Sequence, residues 1–216
     1  MPPSESETAS ESLSLLSVRT FLNALAAKTP TPGGGATAAL SGALAAAQTR
    51  MVVEYSIGKK SLLEHQTKLM AYRARLEKIQ EMFLQLMDED AAAYAQLSPW
   101  LSQPRDQRHG NADFQTAVIA AIRAPQTVAA LANELLECCF ALVAITNHNL
   151  VSDLWVAADV AAACGQSALR NVEINLPLLD VASAMGEEQT QTAELQTHHQ
   201  NLVQKIPAVK MAHPSR

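Results

Sequence analysis

Aromatic residues are scarce in this chain of 216 residues, in which tryptophan, tyrosine and phenylalanine together make up 4%. Glycine and proline are also few, and they gather in short clusters. The apolar fraction is nevertheless 48%, most of it alanine, leucine and valine. Such a composition favours closely packed helices joined by few loops, and no segment keeps the alternation of a strand. We therefore predict an all-α fold, an up-and-down bundle of long helices.

Several function classes lack their usual sequence features. The net charge is −5 and no basic stripe is present, so a nucleic-acid partner is not expected. The alanine-rich run at residues 36–47 is too short to span a bilayer, and the polar N-terminus lacks the order of a secretory signal, so we expect no membrane partner. The three cysteines lie in apolar helical sequence, which indicates reduced core thiols in a cytoplasmic protein. Histidine and cysteine show no metal-binding spacing, so no metal site is predicted.

The chain is predicted to be one domain with two tails. Residues 1–12 are polar and acidic, which predicts a disordered tail, and residues 207–216 contain two prolines, which predicts a frayed C-terminus. Residues 13–206 then form a single helical domain. Apolar periodicity and breaking residues place a surface loop at 98–110 and helices at 13–28, 36–57, 62–97, 112–144 (with a kink or new start at Pro125), 150–175, and from Asp180 or Ser183 to Ile206.

A triple glycine is the first candidate for function. Gly33, Gly34 and Gly35 follow two prolines and precede a helix that is apolar almost all round. Free backbone N–H groups and the helix dipole make such a turn a candidate site for an anion or a carbonyl oxygen. The alternative is a tight turn that lets two helices approach closely. The residues alone leave these two interpretations evenly balanced.

The second candidate is the segment 147–153, which reads NHNLVSD. If a helix begins there, Asn149 and Asp153 share a face, and Asp153 precedes an apolar run. An acid against such a core is a candidate general base or general acid. Asn, Ser and Asp also favour helix starts as simple caps, and the residues alone favour capping.

Three further groups of polar residues are weaker candidates. Asn171 and Asn175 share a helix face and could hydrogen-bond a pterin-like ring, each other, or only mark a helix end. Lys59 and Lys60 follow a helix and could hold a substrate carboxylate, although lysines in that position are more often solvated. A run of acids is interpreted as a solvated helical face: Asp88, Glu89 and Asp90.

Taken in order, these fragments resemble one family, the cyclodeaminase/cyclohydrolase family. It includes the cyclodeaminase half of formiminotransferase-cyclodeaminase and the stand-alone bacterial methenyltetrahydrofolate cyclohydrolases. The resemblance covers about residues 18–180, and five short segments in this order are specific where each alone is weak. The segments are 30–35 (PTPGGG), 56–60 (SIGKK), 90–94 (DAAAY), 147–153 (NHNLVSD) and 171–175 (NVEIN).

The resemblance implies an all-helical, dimeric enzyme whose folate site lies near the subunit interface. It implies hydrolysis of 5,10-methenyltetrahydrofolate to 10-formyltetrahydrofolate, with no metal and no cofactor beyond the tetrahydrofolate substrate. Asp153 is then expected to transfer protons or to stabilise the cationic one-carbon bridge. The expected substrate-binding residues are Gly33, Gly34, Gly35, Lys59, Lys60, Asn147, Asn149, Ser152, Asn171 and Asn175.

Two alternatives remain open at this point. The first is a formiminotetrahydrofolate cyclodeaminase, which releases ammonia; the absence of a transferase half in the sequence favours the cyclohydrolase over it. The second is a non-catalytic helical paralogue that acts as a binding or assembly module. It rests on Thr146, which occupies a position where the family usually has glycine.

Overall fold

A computed structural model describes residues 12–180 and 182–213, without the side chains of residues 182–184. The described residues form helices and contain no strand. None of the described helices contains an apolar stretch long enough to cross a membrane. The helices are α1 Val18–Leu25, α2 Gly34–Glu54, α3 Gln66–Leu101, α4 Arg105–Arg108, α5 Ala112–Leu142, α6 Val151–Asn175 and α7 Ala182–Ala212, with 3₁₀ turns at Leu13–Leu15, Lys60–His65, His148–Leu150 and Leu176–Leu178.

Four of the helices form an up-and-down bundle, which confirms the predicted fold class. α2 packs against α3 and α6, and α5 completes the square by packing against the same two helices. Gly34 lies beside Asn171 and Gln48 lies beside Asp153, so α2 and α6 run in opposite directions. α7 lies along the outside of α5 and α6.

Small residues on α2 explain how a bundle with few aromatic residues becomes closely packed. Gly42 is buried in the middle of α2, and an added Cβ there would lie 2.4 Å from a ring carbon of Phe83 on α3. The absence of a side chain at Gly42 therefore lets the fully buried Phe83 ring reach the α2 backbone. Alanines around it allow the same close approach along most of α2.

The three cysteines, Cys138, Cys139 and Cys164, are buried and free, as predicted. Burial raises the pKa of Cys138 to about 11 and the pKa of both Cys139 and Cys164 to about 12. They therefore remain protonated at neutral pH and act as small apolar residues of the core.

α2 is shorter than its neighbours at one end, and this gives the bundle two distinct ends. α2 begins at Gly34. On α3, Asp90 lies beside Gly35, and α3 continues for eleven more residues to Leu101. The parts of α3, α5 and α6 that extend past α2 enclose a second, smaller core. We call this the glycine end, defined by Gly33, Gly34, Gly35, Asp90 and Asn171. The aspartate end is defined by Gln48, Ser56, Asn147 and Asp153.

The first predicted helix, residues 13–28, is divided in the structure. The Ser17 side chain accepts a hydrogen bond from the Thr20 N–H and starts α1 at Val18, so the 3₁₀ turn before it is separate. Before that turn, the Ser12 hydroxyl and the Leu13 N–H both donate to Asp88. Residues 1–11 of the predicted tail lie outside the described residues.

Prolines interrupt the helices less than predicted, because packing outweighs the lost backbone hydrogen bond. α3 passes through Pro99 into the predicted loop at 98–110, where Trp100 packs against the second core, and the short α4 follows. α5 runs as one helix through the buried Pro125, without the predicted new start. α7 continues through Pro207 to Ala212, past the predicted end at Ile206. The Lys210 ammonium pairs with Asp159 on α6 at 2.8 Å and stabilises this last turn. The predicted frayed tail is therefore helical up to Ala212.

Candidate functional site

The glycine end places a carboxylate directly against the triple glycine. Gly33 caps α2 without any side-chain hydrogen bond, and Gly35 is buried in its first turn. A Cβ at Gly35 would lie 1.9 Å from Asp90 Oδ1 and 2.5 Å from Oδ2. The Asp90 carboxylate therefore occupies the space that any side chain at position 35 would need. The turn thus permits the close approach of two helices that one of the two interpretations describes, and the group that approaches is an acid.

Asp90 is the carboxylate beside the glycine turn, and its pKa is raised. Its pKa is raised because half-burial beside α2 removes water from the carboxylate, and a hydrogen bond from the Ala36 backbone N–H acts in the opposite direction. The carboxylate also lies at the N-terminus of α2, where the helix dipole favours an anion. A carboxyl group whose pKa is raised in this way is a stronger base than an ordinary aspartate, which makes it a candidate for proton transfer.

Two of the predicted asparagines lie at the same end, on α6. A Cβ at Gly34 would lie 2.9 Å from Asn171 Oδ1, and the Asn171 Nδ2 donates to the Ser167 carbonyl. Asn175, one turn further along, donates to the Ala121 carbonyl on α5 at 2.9 Å. Asn171 can therefore offer its oxygen beside the glycine turn, whereas the amide nitrogen of Asn175 joins α6 to α5.

The aspartate end gathers the other predicted residues. Asp153, near the start of α6, accepts a hydrogen bond of 3.0 Å from Gln48 Nε2 on α2. The Asn147 N–H donates to the buried Ser56 hydroxyl at 2.8 Å, and the Asn147 side chain caps the following 3₁₀ turn by accepting from the Asn149 N–H. The remaining predicted residues here are more open to solvent: Asn149, Ser152 and Lys60 are exposed, and Lys59 is half-buried at the start of its turn.

Within one chain the two ends are far apart, so the predicted single site containing both the glycine turn and Asp153 requires a second copy of the chain. Gly34 and Gln48 are separated by fourteen residues of the same helix, or about 21 Å at 1.5 Å per residue. Asp153 contacts Gln48, so it lies at a similar distance from the glycines. The two motifs precede antiparallel helices, and the starts of antiparallel helices lie at opposite ends of a bundle.

Asp90 begins one of the five matching segments, but the sequence analysis placed it on a solvated helical face and did not select it as a site residue. Its neighbours Asp88 and Glu89 suggested a solvated face, and Glu89 is indeed exposed. The residue spacing could have distinguished Asp90 from its acidic neighbours, because position 90 continues the buried stripe of Phe83 and Met87 at helical intervals. An acid on an apolar stripe indicates a paired or functional group more strongly than an acid in a charged run.

Groups that could bind a metal ion are not concentrated anywhere in the described residues. Across 12–180 and 182–213, no three histidine, cysteine, aspartate or glutamate side chains gather as ligands for one ion. Nothing in the described part of the chain therefore adds a metal to the residues that the sequence selected.

Comparison with known proteins agrees with the predicted resemblance. The sequence profile of the formiminotransferase-cyclodeaminase family matches residues 17–194. The methenyltetrahydrofolate cyclohydrolase of Methylorubrum extorquens is 30% identical over 181 residues, which are 82% of this chain and 86% of that protein. The crystal structure of a formiminotetrahydrofolate cyclodeaminase from Thermotoga maritima has the same fold, with a TM-score of 0.82, 24% identity, and coverage of 90% of this chain and 96% of that one. The resemblance predicted from five short segments is thus confirmed, and the chain belongs to the formiminotransferase-cyclodeaminase family.

Proposed function

We propose that this protein is a methenyltetrahydrofolate cyclohydrolase, which hydrolyses 5,10-methenyltetrahydrofolate to 10-formyltetrahydrofolate. The observation that carries the proposal is the 30% identity, over 86% of its length, to a protein with that name. The glycine end supplies the chemistry that this reaction needs: a carboxyl group with a raised pKa, free backbone N–H groups and an asparagine oxygen. Hydrolysis of a carbon already activated between two nitrogens needs proton transfer and positioning.

Asp90 is the proton-transfer group in this proposal. Water attacks the cationic carbon between N5 and N10, a C–O bond forms, and the Asp90 carboxylate takes one proton from the water. Asp90 then gives this proton to N5 as the C–N5 bond breaks and its electron pair stays on nitrogen. The remaining hydroxyl proton is lost through Asp90 to solvent, which leaves the formyl group on N10. One water is consumed and one proton is released.

The glycine turn holds the developing charge and the ring in this proposal. The N–H groups of the first turn of α2 have no intrahelical partner, so those of Gly34 and Gly35 can donate to a substrate oxygen. The Asn171 side chain beside Gly34 offers an amide to the pterin edge. The proposal thus carries forward the glycines and asparagines predicted from the sequence and adds Asp90 to them.

A formiminotetrahydrofolate cyclodeaminase is the second candidate. It is favoured by the description of the family whose profile matches residues 17–194. In that reaction N10 attacks the formimino carbon and ammonia leaves, so the same acid and the same ring-binding residues serve. The two activities differ in the leaving group, and the product distinguishes them.

The activity test is a pair of assays on the purified chain. We expect methenyltetrahydrofolate absorbance to fall faster than the spontaneous hydrolysis, and formiminotetrahydrofolate to release no ammonia. Ammonia release without acceleration of the first reaction would replace the cyclohydrolase with the cyclodeaminase. Folate binding without either turnover would identify a non-catalytic paralogue, the alternative suggested by Thr146.

We further propose that two copies of the chain associate through the outer face of α2 and α6. Large apolar side chains are exposed along this face: Leu44 is 61% exposed, Val156 55% and Ile174 74%. A two-fold axis between Ser41 and Leu44, near the middle of α2, would pair the glycine end of one subunit with the aspartate end of its partner. One site would then combine the glycine turn and Asp90 with partner residues predicted from the sequence: Asp153, Asn147, Asn149, Ser152, Lys59 and Lys60.

The dimer is tested by a charge placed on this face. We expect Leu44→Glu to convert the protein to a monomer in sedimentation or light-scattering experiments, because an isologous contact would bring two carboxylates together. Met211→Glu, at a residue 77% exposed on α7, is the matched control and should leave the dimer intact. A monomeric unchanged protein, or a dimer that tolerates Leu44→Glu, would remove this interface.

If each active site is shared between two subunits, mixing two inactive variants should restore part of the activity. Asp90→Asn and Asp153→Asn subunits should each form an inactive dimer, whereas mixed dimers regain one intact site of two. Random pairing then gives about a quarter of the normal activity, since about half the dimers are mixed. Full activity of Asp153→Asn alone would exclude the aspartate end from the reaction.

A cytoplasmic location and the absence of any cofactor beyond the tetrahydrofolate substrate remain predictions from the sequence.

A further inference from the structure

We propose that Arg105 and Arg108 form a carboxylate-binding subsite that holds the glutamate tail of the substrate. This inference rests on the proposed function, because it assigns a place to the part of the folate that does not react. The two arginines lie on α4, between α3 and α5, at the tip of the glycine end. They are three residues apart and so share a face of the short helix.

A cavity of about 240 Å³ lies beside the two guanidinium groups. Its other walls come from the start of α5 and the turn after α6, so three parts of the chain converge on it. Phe114, Pro177 and Leu178 supply the apolar part of its lining, and His109 and Asp180 complete the polar part. An apolar wall with adjacent cations suits a ligand with a hydrocarbon stem and a carboxylate head.

The one acid in the cavity wall already has partners within the chain. Asp180 accepts hydrogen bonds from the Gly110 N–H and the Gln115 amide, both at 3.1 Å, and lies 2.9 Å from His109 Nδ1. The hydrogen bonds from Gly110 and His109 lower the pKa of Asp180, and the charge of Arg105 adds to this at longer range, without an ion pair between them.

The two arginines, in contrast, lack a carboxylate partner within the described part of the chain, where neither forms an ion pair. The Arg108 guanidinium stands over the Phe114 ring, 5.7 Å from its centroid, which restrains its orientation. A protein with net charge −5 thus places two guanidinium groups beside a cavity where they can bind an external anion. Guanidinium groups bind carboxylates with paired hydrogen bonds, which makes carboxylates a suitable ligand class.

The position of this cavity relative to the glycine turn fits an extended folate. Asn171 contacts the glycine turn, and α6 continues from it for four residues, or about 6 Å, before the 3₁₀ turn that carries Leu178 into the cavity wall. A pterin held at the glycine turn would therefore extend its p-aminobenzoylglutamate along the tip of α6 toward the arginines. Lys59 and Lys60, the lysines selected from the sequence for this role, lie at the opposite end of the same chain.

The test compares two double variants that remove the same charge, one in the cavity wall and one on the exposed face of α3. We expect Arg105→Gln with Arg108→Gln to raise KM for methenyltetrahydrofolate about tenfold or more, which corresponds to the loss of one charged contact, with kcat unchanged. The increase should be larger for a triglutamate form than for the monoglutamate. Lys68→Gln with Lys78→Gln, at two exposed lysines of α3 outside the proposed site, is the control and should leave KM within about twofold. A thermal-unfolding scan on each variant confirms that the fold is kept.

Direct titration of folate binding tests the arginine subsite even if the protein proves not to be a cyclohydrolase. Tetrahydrofolate mono- and triglutamate are titrated calorimetrically against the unchanged protein and the arginine variant, so the affinity is measured even if no turnover occurs. Equal affinities for both proteins would overturn the subsite, as would a KM that rises as much in the lysine control as in the arginine variant. Inorganic phosphate is added at constant ionic strength as a competitor. If phosphate displaces the monoglutamate as effectively as a free γ-glutamyl peptide does, the cavity is a general anion site and not a glutamate-tail site.

Discussion

Asp90→Asn is expected to reduce kcat by about 10²–10⁴-fold while the bundle remains folded, because this is the usual contribution of a positioned acid–base group. The asparagine has the same shape, and its oxygen can still accept from the Ala36 N–H. It cannot take a proton from the attacking water. The measurement is kcat for methenyltetrahydrofolate hydrolysis, together with the far-ultraviolet circular dichroism of the variant.

Asp88→Asn is the matched control for that experiment. Asp88 lies on the same helix two residues earlier, and both its oxygens accept hydrogen bonds from the N-terminal segment at Ser12 and Leu13. Its role is therefore to hold that segment, and kcat should stay close to that of the unchanged protein. Equal losses in the two variants would mean that Asp90 acts only through the fold.

The raised pKa of Asp90 sets the pH dependence of both activity and stability. Turnover in the proposal requires the ionised carboxylate, so kcat should fall as the pH drops through a pKa above the ordinary aspartate value of 3.8. For stability the sign is opposite. Between 3.8 and the folded-state pKa the native protein binds more protons than the unfolded chain, so the contribution of Asp90 is present below that window and is lost as the pH rises through it. Above the window, Asp90→Asn should therefore be at least as stable as the unchanged protein.

A graded response to alanine is expected across the triple glycine, with the largest effect at Gly35. The added Cβ at Gly35 would overlap Asp90 Oδ1, 1.9 Å away, so the carboxylate or the helix start must move. We expect a loss of roughly 1–3 kcal/mol in the free energy of unfolding, as for other overpacked sites. Turnover should fall by about 10²-fold or more, because a displacement of about 1 Å in a catalytic group is enough for such a loss.

Gly33→Ala and Gly34→Ala provide the internal controls. The Cβ at Gly33 would meet only the Pro30 carbonyl at 3.9 Å, an ordinary contact, so this variant should resemble the unchanged protein. The Cβ at Gly34 would lie 2.9 Å from the end of the Asn171 side chain, which can rotate, so a smaller effect is expected there. Equal effects at all three positions would show that glycine flexibility, and not the contact with Asp90, is what the turn requires.

A compensating pair identifies the cause of the Gly35 effect. Gly35→Ala combined with Asp90→Ser should regain stability relative to Gly35→Ala alone, because the shorter side chain makes room for the methyl group. It should not regain turnover, because the proton-transfer group is gone. A double variant as unstable as Gly35→Ala would place the clash elsewhere.

The helices themselves were predictable because each depends on local pattern. Apolar residues at helical spacing placed α3 and α5 to within a few residues, and Asn147 and Pro177 marked the ends of α6. The errors occurred where packing outweighed a local rule, as at Pro99 and Pro207. A proline lowers helix stability by a fixed local amount, whereas buried neighbours on the same turn can supply more.

The sequence by itself determined the fold class, the family and the short polar segments that mark that family, since composition, periodicity and motif order are properties of the linear chain. Only the tertiary structure decided how those segments combine. It separated Asp153 from the glycine turn by about the length of fourteen helical residues, and it brought Asp90 against Gly35 from another helix. The reason is that antiparallel packing fixes which residues of different helices share a level of the bundle, and no residue spacing within one helix contains that information.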